Sequence, residues 1–449
     1  QVLKQERHTV SQVVDETGAG DSFRAAFTVA FVEGRPLQEC LQFASAAGAA
    51  AVTVMGAFPS LPSREQCERI QPGQAADAAD TGLGDWLGSR MSVLWENLQT
   101  GFSSRANRTA ESGIPAEDIP FPKMASRVNS MKARRDLMDP ADSAALSDDP
   151  DGWIRRQGAI DGLELVDLNF PQHFRRFPDW RADVRQIQEA AGAAGLAVGA
   201  VSLRYPEEDF YNGAFTNPDP ALRRRAVELT VEGGRAAKAL GAAELVVWSA
   251  FDGYDYPCQA DYTAAWQRTV EAFRKVCDAH PELRVMVEYK PTDEATRFSI
   301  VGSAGAAALL VEAVGRANMG VMLDVGHALM AGESPAQSAA LLGARLFGVH
   351  LNDGWSRLGA EDGLALASVH PSLTLELFYW LQRIRYQGHL FMDTFPRKED
   401  PLRECEFNVR RAKTLWRKAQ QLRQAGLDAI LARHDALAAL ELMEQNGAL

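Results

Sequence analysis

The chain has 449 residues, 46% of them hydrophobic, and carries 59 acidic against 47 basic side chains, a formal net charge of −12. A surface this acidic excludes nucleic acid and anionic membrane surfaces as partners and favours a small neutral substrate or a cation. No stretch reaches the roughly 18 uninterrupted apolar residues of a membrane span. The five cysteines are scattered without a CxxC pair, which predicts reduced thiols in a cytoplasmic protein.

The first block covers residues 1–71 and has its own pattern. In chain order it contains a predicted strand ending at Val13 and Val14, a glycine-rich turn over 15–21, and Ala-rich helices over 22–33 and 37–53. The turn reads D-x-T-G-A-G-D-S-F and resembles the second signature of the PfkB (ribokinase) family of sugar kinases. Residues 9–66 as a whole are similar to the C-terminal end of that family.

The chemistry of this turn is that of a phosphate site. Consecutive backbone N–H groups of Gly18, Ala19 and Gly20 at the start of a helix can bind a phosphate. The resemblance implies that Asp21 is the base that activates the sugar hydroxyl. Because the block corresponds to only a small part of such a kinase, we interpret it as the inactive remaining tail of a fused kinase–isomerase chain or as a truncated kinase.

The second segment, residues 72–110, is rich in Gly, Pro, Ser, Asp and Ala, which predicts a linker. The sequence SRMSVLWENLQ (89–99) predicts a short amphipathic helix within it. Irregular composition, typical of surface loops, continues to about residue 150.

Short apolar runs then alternate with helical stretches, which predicts a parallel sheet with helical crossovers. The predicted strands cover residues 163–170, 196–203, 244–251, 283–289, 319–325, 346–351 and 389–395, and residues 123–130 are the candidate for a first strand. Eight such units predict a (β/α)8 TIM barrel over residues 111–400, in the α/β class. The amphipathic tail, 401–449, predicts helices that cover the barrel or form a contact in a homo-oligomer.

Ionisable side chains end four consecutive predicted strands, at the edge where barrels carry their chemistry. Glu288, Asp324 and Asp393 end the fifth, sixth and eighth strands, and His350 lies near the end of the seventh. Burying such groups is costly unless a cation or partner compensates them. Three carboxylates and one imidazole suit Mn²⁺ or Mg²⁺, with Co²⁺ and Zn²⁺ as alternatives.

The motifs EYKP, LDxGH, HxND and MD on these strands resemble the L-rhamnose isomerase branch of the xylose isomerase-like barrels, over about residues 160–400. The resemblance implies that the four residues above hold a structural metal. It implies further that His327 holds a second, catalytic metal, that Lys290 lies beside the substrate oxygens, and that Trp248 packs against the sugar. Lys290, His327 and Asp393 are the implied catalytic residues.

Two positions depart from that family. Its second metal takes two further carboxylates, for which this chain offers Glu361 and then Gly363, so either Asp362 substitutes or the second site is weaker. The histidine that assists ring opening in relatives is replaced by Asn169, a substrate-binding candidate. Because an amide cannot take up a proton as imidazole does, ring opening would fall to another group or to water.

The resemblance implies an aldose–ketose isomerase that moves a hydrogen between C1 and C2 of an open-chain sugar by a metal-assisted hydride shift, with Mn²⁺ as the expected metal. A ketose 3-epimerase of the same barrel is the alternative, with Glu288 and Asp393 as its acid–base pair. Lys290 and the shorter Asp393 favour the isomerase. An endonuclease of this barrel class is disfavoured by eight histidines and the net charge of −12.

Overall fold

The computed structural model describes Val10 and residues 12–15, 18–54, 62–70, 119–132, 134–141, 147–293, 295–357, 359 and 361–448. The chain divides into two compact units, Gln1–Glu111 and Ser112–Leu449, which are described separately. The predicted linker, the helix predicted over 89–99 and Thr17 of the glycine-rich motif lie outside the described residues.

The N-terminal unit contains three described helices, α1 (Ala19–Val32), α2 (Leu37–Ala51) and α3 (Arg64–Arg69). Alanines on α1 and α2 let the two helices pack closely around Cys40 and Phe43. The two predicted helices are thus confirmed. The strand predicted to end at Val13 and Val14 is wrong, because residues 12–15 are not part of a strand.

The second unit is built on eight parallel strands in a nearly closed barrel. They are β1 (Met124–Ser126), β2 (Leu165–Phe170), β3 (Ala197–Leu203), β4 (Glu244–Trp248), β5 (Arg284–Glu288), β6 (Met319–Asp324), β7 (Leu346–Leu351) and β8 (Leu390–Met392). From β2 to β8 each strand pairs with the next, and β8 pairs with β1. A single bridge between Arg127 and Asp167 joins β1 to β2. All eight predicted strands are confirmed, although β1 is shorter than expected because a 3₁₀ helix begins at Val128.

Helices cover the outside of the barrel. They are α4 (Pro150–Gln157), α5 (Arg181–Ala193), α6 (Glu207–Phe210), α7 (Pro220–Leu240), α8 (Tyr262–Ala279), α9 (Ala304–Val314), α10 (Val325–Met330), α11 (Pro335–Leu342), α12 (Pro371–Arg383), α13 (Pro401–Gln424), α14 (Leu427–Leu431) and α15 (Ala436–Gln445). Asp219, Asp261 and Ser303 each accept a hydrogen bond from a backbone N–H at a helix start, which satisfies a donor that the helix leaves free. None of the described helices combines the length and apolar character needed to cross a bilayer.

Side chains fill the barrel interior, so it is a packed core with no central pore. Ala200, Val246, Met286 and Met322 form one cluster there, and Phe347 packs against it. A Cβ at residue 348 would lie 2.2 Å from the methyl carbon of Met322, so this methionine would have to shift to admit a side chain there. A filled interior leaves the two ends of the barrel as the places where charged groups can gather.

The C-terminal helices pack on the barrel. Trp416 of α13 is buried, with its ring 5.7 Å from that of Phe121 and 6.0 Å from that of Phe378. Gln382 of α12 donates to the carbonyl oxygen of Trp416 at 2.9 Å. The predicted helical tail is confirmed, and α13 covers the barrel.

Candidate active site

Four ionisable side chains meet at the carboxyl ends of the barrel strands. Glu288 ends β5, Asp324 ends β6, His350 is one residue from the end of β7, and Asp393 follows β8 directly. All four are buried, and one potential ligand atom from each lies within 4.8 Å of the others. We call this group the upper cluster. Its donor set can hold a divalent metal ion.

The imidazole of His350 lies among the three carboxylates of the upper cluster. Its Nδ1 is 3.3 Å from Glu288 Oε1, 3.7 Å from Asp324 Oδ2 and 3.9 Å from Asp393 Oδ2. This nitrogen is buried and makes no hydrogen bond within the described part of the chain, and the same is true of Asp393 Oδ1. Buried polar atoms without partners are uncommon in proteins and mark places where a ligand or ion can bind.

Burial and crowding shift the pKa values of the upper cluster in opposite directions. Burial raises the pKa of Glu288, but the nearby His350 outweighs burial and holds the pKa at about 2. Burial dominates at Asp324 and raises its pKa to about 6. Burial also raises the pKa of Asp393. One imidazole therefore does not compensate three buried carboxylates.

The motifs LDxGH and HxND hold Asp324 in place. The side-chain amide of Asn352 donates to Asp324 Oδ1 and Oδ2 at 3.3 and 3.2 Å, and the backbone N–H of His327 donates to Oδ1 at 2.9 Å. Asn352 Oδ1 in turn accepts from the N–H of Gly326 at 2.7 Å. A Cβ at residue 326 would lie 3.0 Å from that oxygen, so glycine permits the close approach.

His327 lies beside the upper cluster and faces Glu361. Its Nδ1–H donates to the carbonyl oxygen of Tyr289 at 3.0 Å, which directs Nε2 toward Glu361 Oε2, 3.4 Å away. Nε2 is buried without a hydrogen bond among the described residues. Burial lowers the pKa of His327, but Asp324 and Glu361 outweigh it and raise the pKa to about 9. Without a metal the ring therefore carries protons on both nitrogens at neutral pH. Loss of the Nε2 proton would leave the Nδ1–H form that metal-binding histidines commonly adopt.

Lys290 is the buried cation of the site. Its ammonium group donates to Asp293 Oδ2 at 2.8 Å and to the carboxylate of Glu361, and it lies 5.2 Å from the ring centre of Trp248. Burial lowers the pKa of Lys290, but the carboxylates of Glu361 and Asp293 outweigh burial and raise the pKa above its ordinary value. The lysine is therefore protonated at neutral pH.

Asp362 and Gly363 differ from Glu361 in where they lie. Asp362 Oδ2 accepts from the N–H of Trp355 at 2.7 Å and Oδ1 accepts from Arg357 at 3.0 Å, so both oxygens bind their own loop. Gly363 has a φ of 57°, and a Cβ there would lie 2.3 Å from the ring of Phe395. The structure thus brings Glu361 to His327, whereas residue 363 has no room for a side chain.

The upper cluster opens into a cavity of about 460 Å³. The predicted residues Trp248, Glu288, Lys290, His327, Glu361, Asp362 and Asp393 all line it. Asn169 is not among the described residues that line it. Its amide donates instead to Oε1 of Gln172 at 2.9 Å, and Gln172 does line the cavity.

Two arginines of the cavity were missed by the sequence analysis. Arg127 follows β1, with Nε 3.3 Å from Asp393 Oδ1 and its guanidinium 4.5 Å from the ring centre of Phe395. Arg204 follows β3, with its guanidinium 4.3 Å from the ring centre of Trp248. A basic residue directly after an apolar strand was the available signal at both positions.

In the N-terminal unit, Gly18, Ala19, Gly20 and Asp21 lie together at the start of α1. Gly18 has a φ of 85° and precedes the helix, a backbone conformation that glycine adopts readily. Asp21 is 84% exposed and lies 4.0 Å from Arg24. The predicted phosphate-binding residues therefore have the helix-start geometry expected of them.

Comparison with known proteins identifies both parts of the chain. Residues 155–422 match the model of the xylose isomerase-like TIM barrel family. The chain belongs to this family. Residues 4–64 match the pfkB family of carbohydrate kinases, which confirms that the N-terminal block is a PfkB fragment. A stretch of 60 residues is 55% identical to a ribokinase of Arabidopsis thaliana and covers 13% of this chain and 16% of that protein.

The barrel has relatives described as sugar isomerases. Over 203 residues the chain is 28% identical to a probable sugar isomerase of Rhizobium meliloti, covering 42% of this chain and 45% of that protein. The chain therefore spans less than half the length of the Arabidopsis ribokinase and of the Rhizobium sugar isomerase. A solved xylose isomerase domain protein of Alicyclobacillus acidocaldarius is similar with a TM-score of 0.49 at 17% identity, covering 67% of this chain and all of that one.

Proposed function

We propose that the barrel of this chain is a metal-dependent aldose–ketose isomerase of the L-rhamnose isomerase type. The observation that carries the proposal is the convergence of the upper cluster next to His327, Glu361 and the protonated Lys290. Two adjacent sets of metal donors and one cation suit a metal-assisted hydride shift between C1 and C2.

The donor atoms fit divalent cations. His350 Nδ1, Asp393 Oδ1 and His327 Nε2 are buried without hydrogen bonds within the described chain, although Asp393 Oδ1 lies 3.3 Å from Arg127. Near them, five carboxylates (Glu288, Asp293, Asp324, Glu361 and Asp393) face four cationic side chains (Arg127, Arg204, Lys290 and the protonated His327). The excess of negative charge is offset by a divalent ion. Oxygen-rich ligands with imidazole favour Mn²⁺.

Each group of residues has a separate role in this proposal. The upper cluster would hold one cation, and His327 with Glu361 would hold the other, to which Asp362 would contribute only if it released its own loop. Such ions would supply polarisation of the sugar carbonyl and a lowered pKa of the neighbouring hydroxyl. His327 and Asp393 would be catalytic by binding these ions.

Lys290 donates a hydrogen bond to the sugar oxygen on which negative charge develops, and its fixed position makes that contact worth more than in water. Asp293 keeps the ammonium group in place. Trp248 packs its ring against the apolar face of the sugar. Asn169 acts on the substrate through Gln172, which it orients. The hydrogen itself passes from C2 to C1 within the sugar.

Deuterium incorporation separates this reaction from 3-epimerisation. The epimerase alternative is favoured by Glu288 and Asp393, two carboxylates that belong to the same candidate metal site. Chain treated with EDTA and reloaded with Mn²⁺ is incubated in D₂O with a panel of aldoses and ketoses. An isomerase that moves hydrogen directly leaves little deuterium on carbon. Stoichiometric deuterium at C3 of a ketose, without aldose formation, would assign the site to epimerisation.

The N-terminal PfkB fragment is proposed to lack kinase activity in this chain. ADP production from ATP with the same sugar panel tests this, with Asp21→Ala as the matched variant. Steady ADP formation in the wild type that disappears in the variant would overturn the proposal.

A further inference from the structure

Arg204 is a cation of the cavity that has no carboxylate partner among the described residues. It follows β3, is half-buried and lines the cavity. Its guanidinium lies over the ring of Trp248, 4.3 Å from the ring centre, and forms no ion pair with the described carboxylates. Its charge helps to lower the pKa of the buried Glu288, but no described carboxylate lies within ion-pair distance of it.

The neighbouring cations of the cavity differ from Arg204 in this respect. Arg127 lies 3.3 Å from Asp393, and Lys290 binds both Asp293 and Glu361. Arg397 also lines the cavity and is exposed at its rim. Positive charge thus extends along one part of the wall, and Arg204 is its half-buried, unpaired member.

A half-buried guanidinium costs free energy when no anion accompanies it. Stacking on Trp248 offsets part of that cost and holds the planar group in one orientation. The charge of Arg204 also disfavours the charged form of Arg127, so the two lie close enough to repel each other. An anion bound beside Arg204 relieves both costs. A fixed planar guanidinium presents paired N–H donors that match a phosphate or a carboxylate.

We propose that the substrate of this barrel is a sugar with an anionic group, a phosphate or a carboxylate, on a carbon remote from the isomerised pair, and that Arg204 binds that group. The inference rests on the proposed isomerase function. The net charge of −12 predicted a neutral substrate, but it describes the whole surface, whereas affinity in the cavity depends on the groups within contact distance.

The first experiment compares matched substrates on the Mn²⁺-loaded chain, using neutral sugars, their terminal phosphate esters and the corresponding uronates. The anionic members are expected to have the higher kcat/KM, and the phosphate and uronate arms identify the group. In Arg204→Gln, the ratio of kcat/KM between anionic and neutral sugars is expected to fall roughly 10–100-fold, the usual effect of losing charged hydrogen bonds. Arg204→Lys retains the charge without the paired donors, so its ratio of kcat/KM between anionic and neutral sugars should lie between those of the wild type and Arg204→Gln.

The matched control is Arg225→Gln, which removes a surface guanidinium 4.0 Å from Glu232 on the outside of the barrel. It should leave the substrate ratio unchanged. Equal turnover of neutral and anionic sugars by the wild type would overturn the proposal. An equal loss on both classes in Arg204→Gln would also overturn it, because Arg204 would then act on the reaction itself.

Binding of inorganic phosphate, followed by calorimetry on EDTA-treated chain, gives a readout that does not depend on turnover. Phosphate should bind the wild type and bind Arg204→Gln more weakly by a similar factor. Unchanged phosphate binding in the variant would contradict the role of Arg204. If no sugar is turned over while phosphate binding depends on Arg204, the isomerase function fails and the anion site stands.

Discussion

The two ends of the barrel both bury charged side chains, yet they differ in how those charges are compensated. At the amino-terminal end, His389 Nε2 lies 2.7 Å from Asp167 Oδ2 and Nδ1 lies 3.0 Å from Glu244 Oε2, while Arg284 donates to Glu244 Oε1 at 3.0 Å. We call these four residues the lower cluster. Two cations there offset two carboxylates. In the upper cluster, three carboxylates surround one imidazole.

The comparison shows that buried charge alone does not indicate a functional site. The lower cluster contains the same residue types as the upper one, but the protein supplies its counter-charges. Burial lowers the pKa of His389, and Asp167 with Glu244 outweighs burial and raises the pKa to about 10, so this histidine is a permanent cation at neutral pH. In the upper cluster the compensation is incomplete: Arg127 lies 3.3 Å from Asp393, yet the pKa values of Asp324 and Asp393 stay raised by burial. The upper cluster also lies at the end where barrels bind their substrates.

The largest expected effect comes from breaking the upper cluster. Glu288→Gln removes a charged ligand and should weaken metal binding. A bound metal supplies several kcal/mol of transition-state stabilisation, so its loss should lower turnover by more than about 10³-fold. Manganese content and sugar isomerisation measure the effect. Glu189→Gln, on the exposed face of α5, is the control. Full metal content with normal turnover in Glu288→Gln would refute the assignment.

Breaking the lower cluster should affect stability instead. Asp167→Asn removes one of the two carboxylates that offset the charge of His389. Removing one partner of a buried ion pair lowers the free energy of unfolding by about 3–5 kcal/mol. Urea unfolding measures the change. Manganese content of the folded variant should stay at the wild-type level. Loss of metal without loss of stability would mean that the two ends do not differ as proposed.

Lys290→Met tests the cation beside the upper cluster. Loss of one donor to a developing negative charge lowers kcat by ~10²–10³-fold, and metal binding is retained because Lys290 is not among the proposed ligands. Steady-state kinetics and metal analysis on the same preparation separate the two effects. A loss of metal equal to that of Glu288→Gln would instead make Lys290 structural.

Asn352→Ala sharpens the comparison further, because it removes an orienting contact and leaves every proposed ligand in place. Asp324 loses two hydrogen bonds from the amide, and such outer partners are worth roughly 10–100-fold in metal affinity. Competition with a chelator measures the affinity. Asn446→Ala, which removes a contact at the end of α15, should not change it. Wild-type affinity in Asn352→Ala would exclude the orienting role.

The smallest effect is a pH dependence of the lower cluster. His389 has a folded-state pKa near 10 against 6.5 in the unfolded chain, so the native state holds more protons between these values. Its stabilising contribution is full below pH 6.5 and is lost as pH rises toward 10, at no more than about 1.4 kcal/mol per pH unit. The free energy of unfolding, measured with urea at pH 7 and at pH 9, should fall less in His389→Gln than in the wild type. An identical decline would contradict the ion pairs.

The barrel and its upper cluster could be predicted from the order of residues along the chain. Apolar runs at regular spacing specify parallel strands with helical crossovers, and parallel strands place their carboxyl ends at one edge. Residues at four strand ends therefore had to meet, and Glu288, Asp324, His350 and Asp393 do. The glycine-rich turn likewise indicated the start of α1, because a helix begins there for local reasons.

The contacts that depend on loop conformation and on distant strands could be read only from the folded molecule. It placed Arg127 beside Asp393, turned Asp362 toward its own loop, and closed residue 363 to any side chain by packing Phe395 against it. It also showed that Val13 and Val14 lie outside any described strand, and that the backbone N–H of Val14 donates to the carbonyl oxygen of Val52 at 2.8 Å. Such contacts join residues far apart in the chain, and no local pattern encodes which of them will meet.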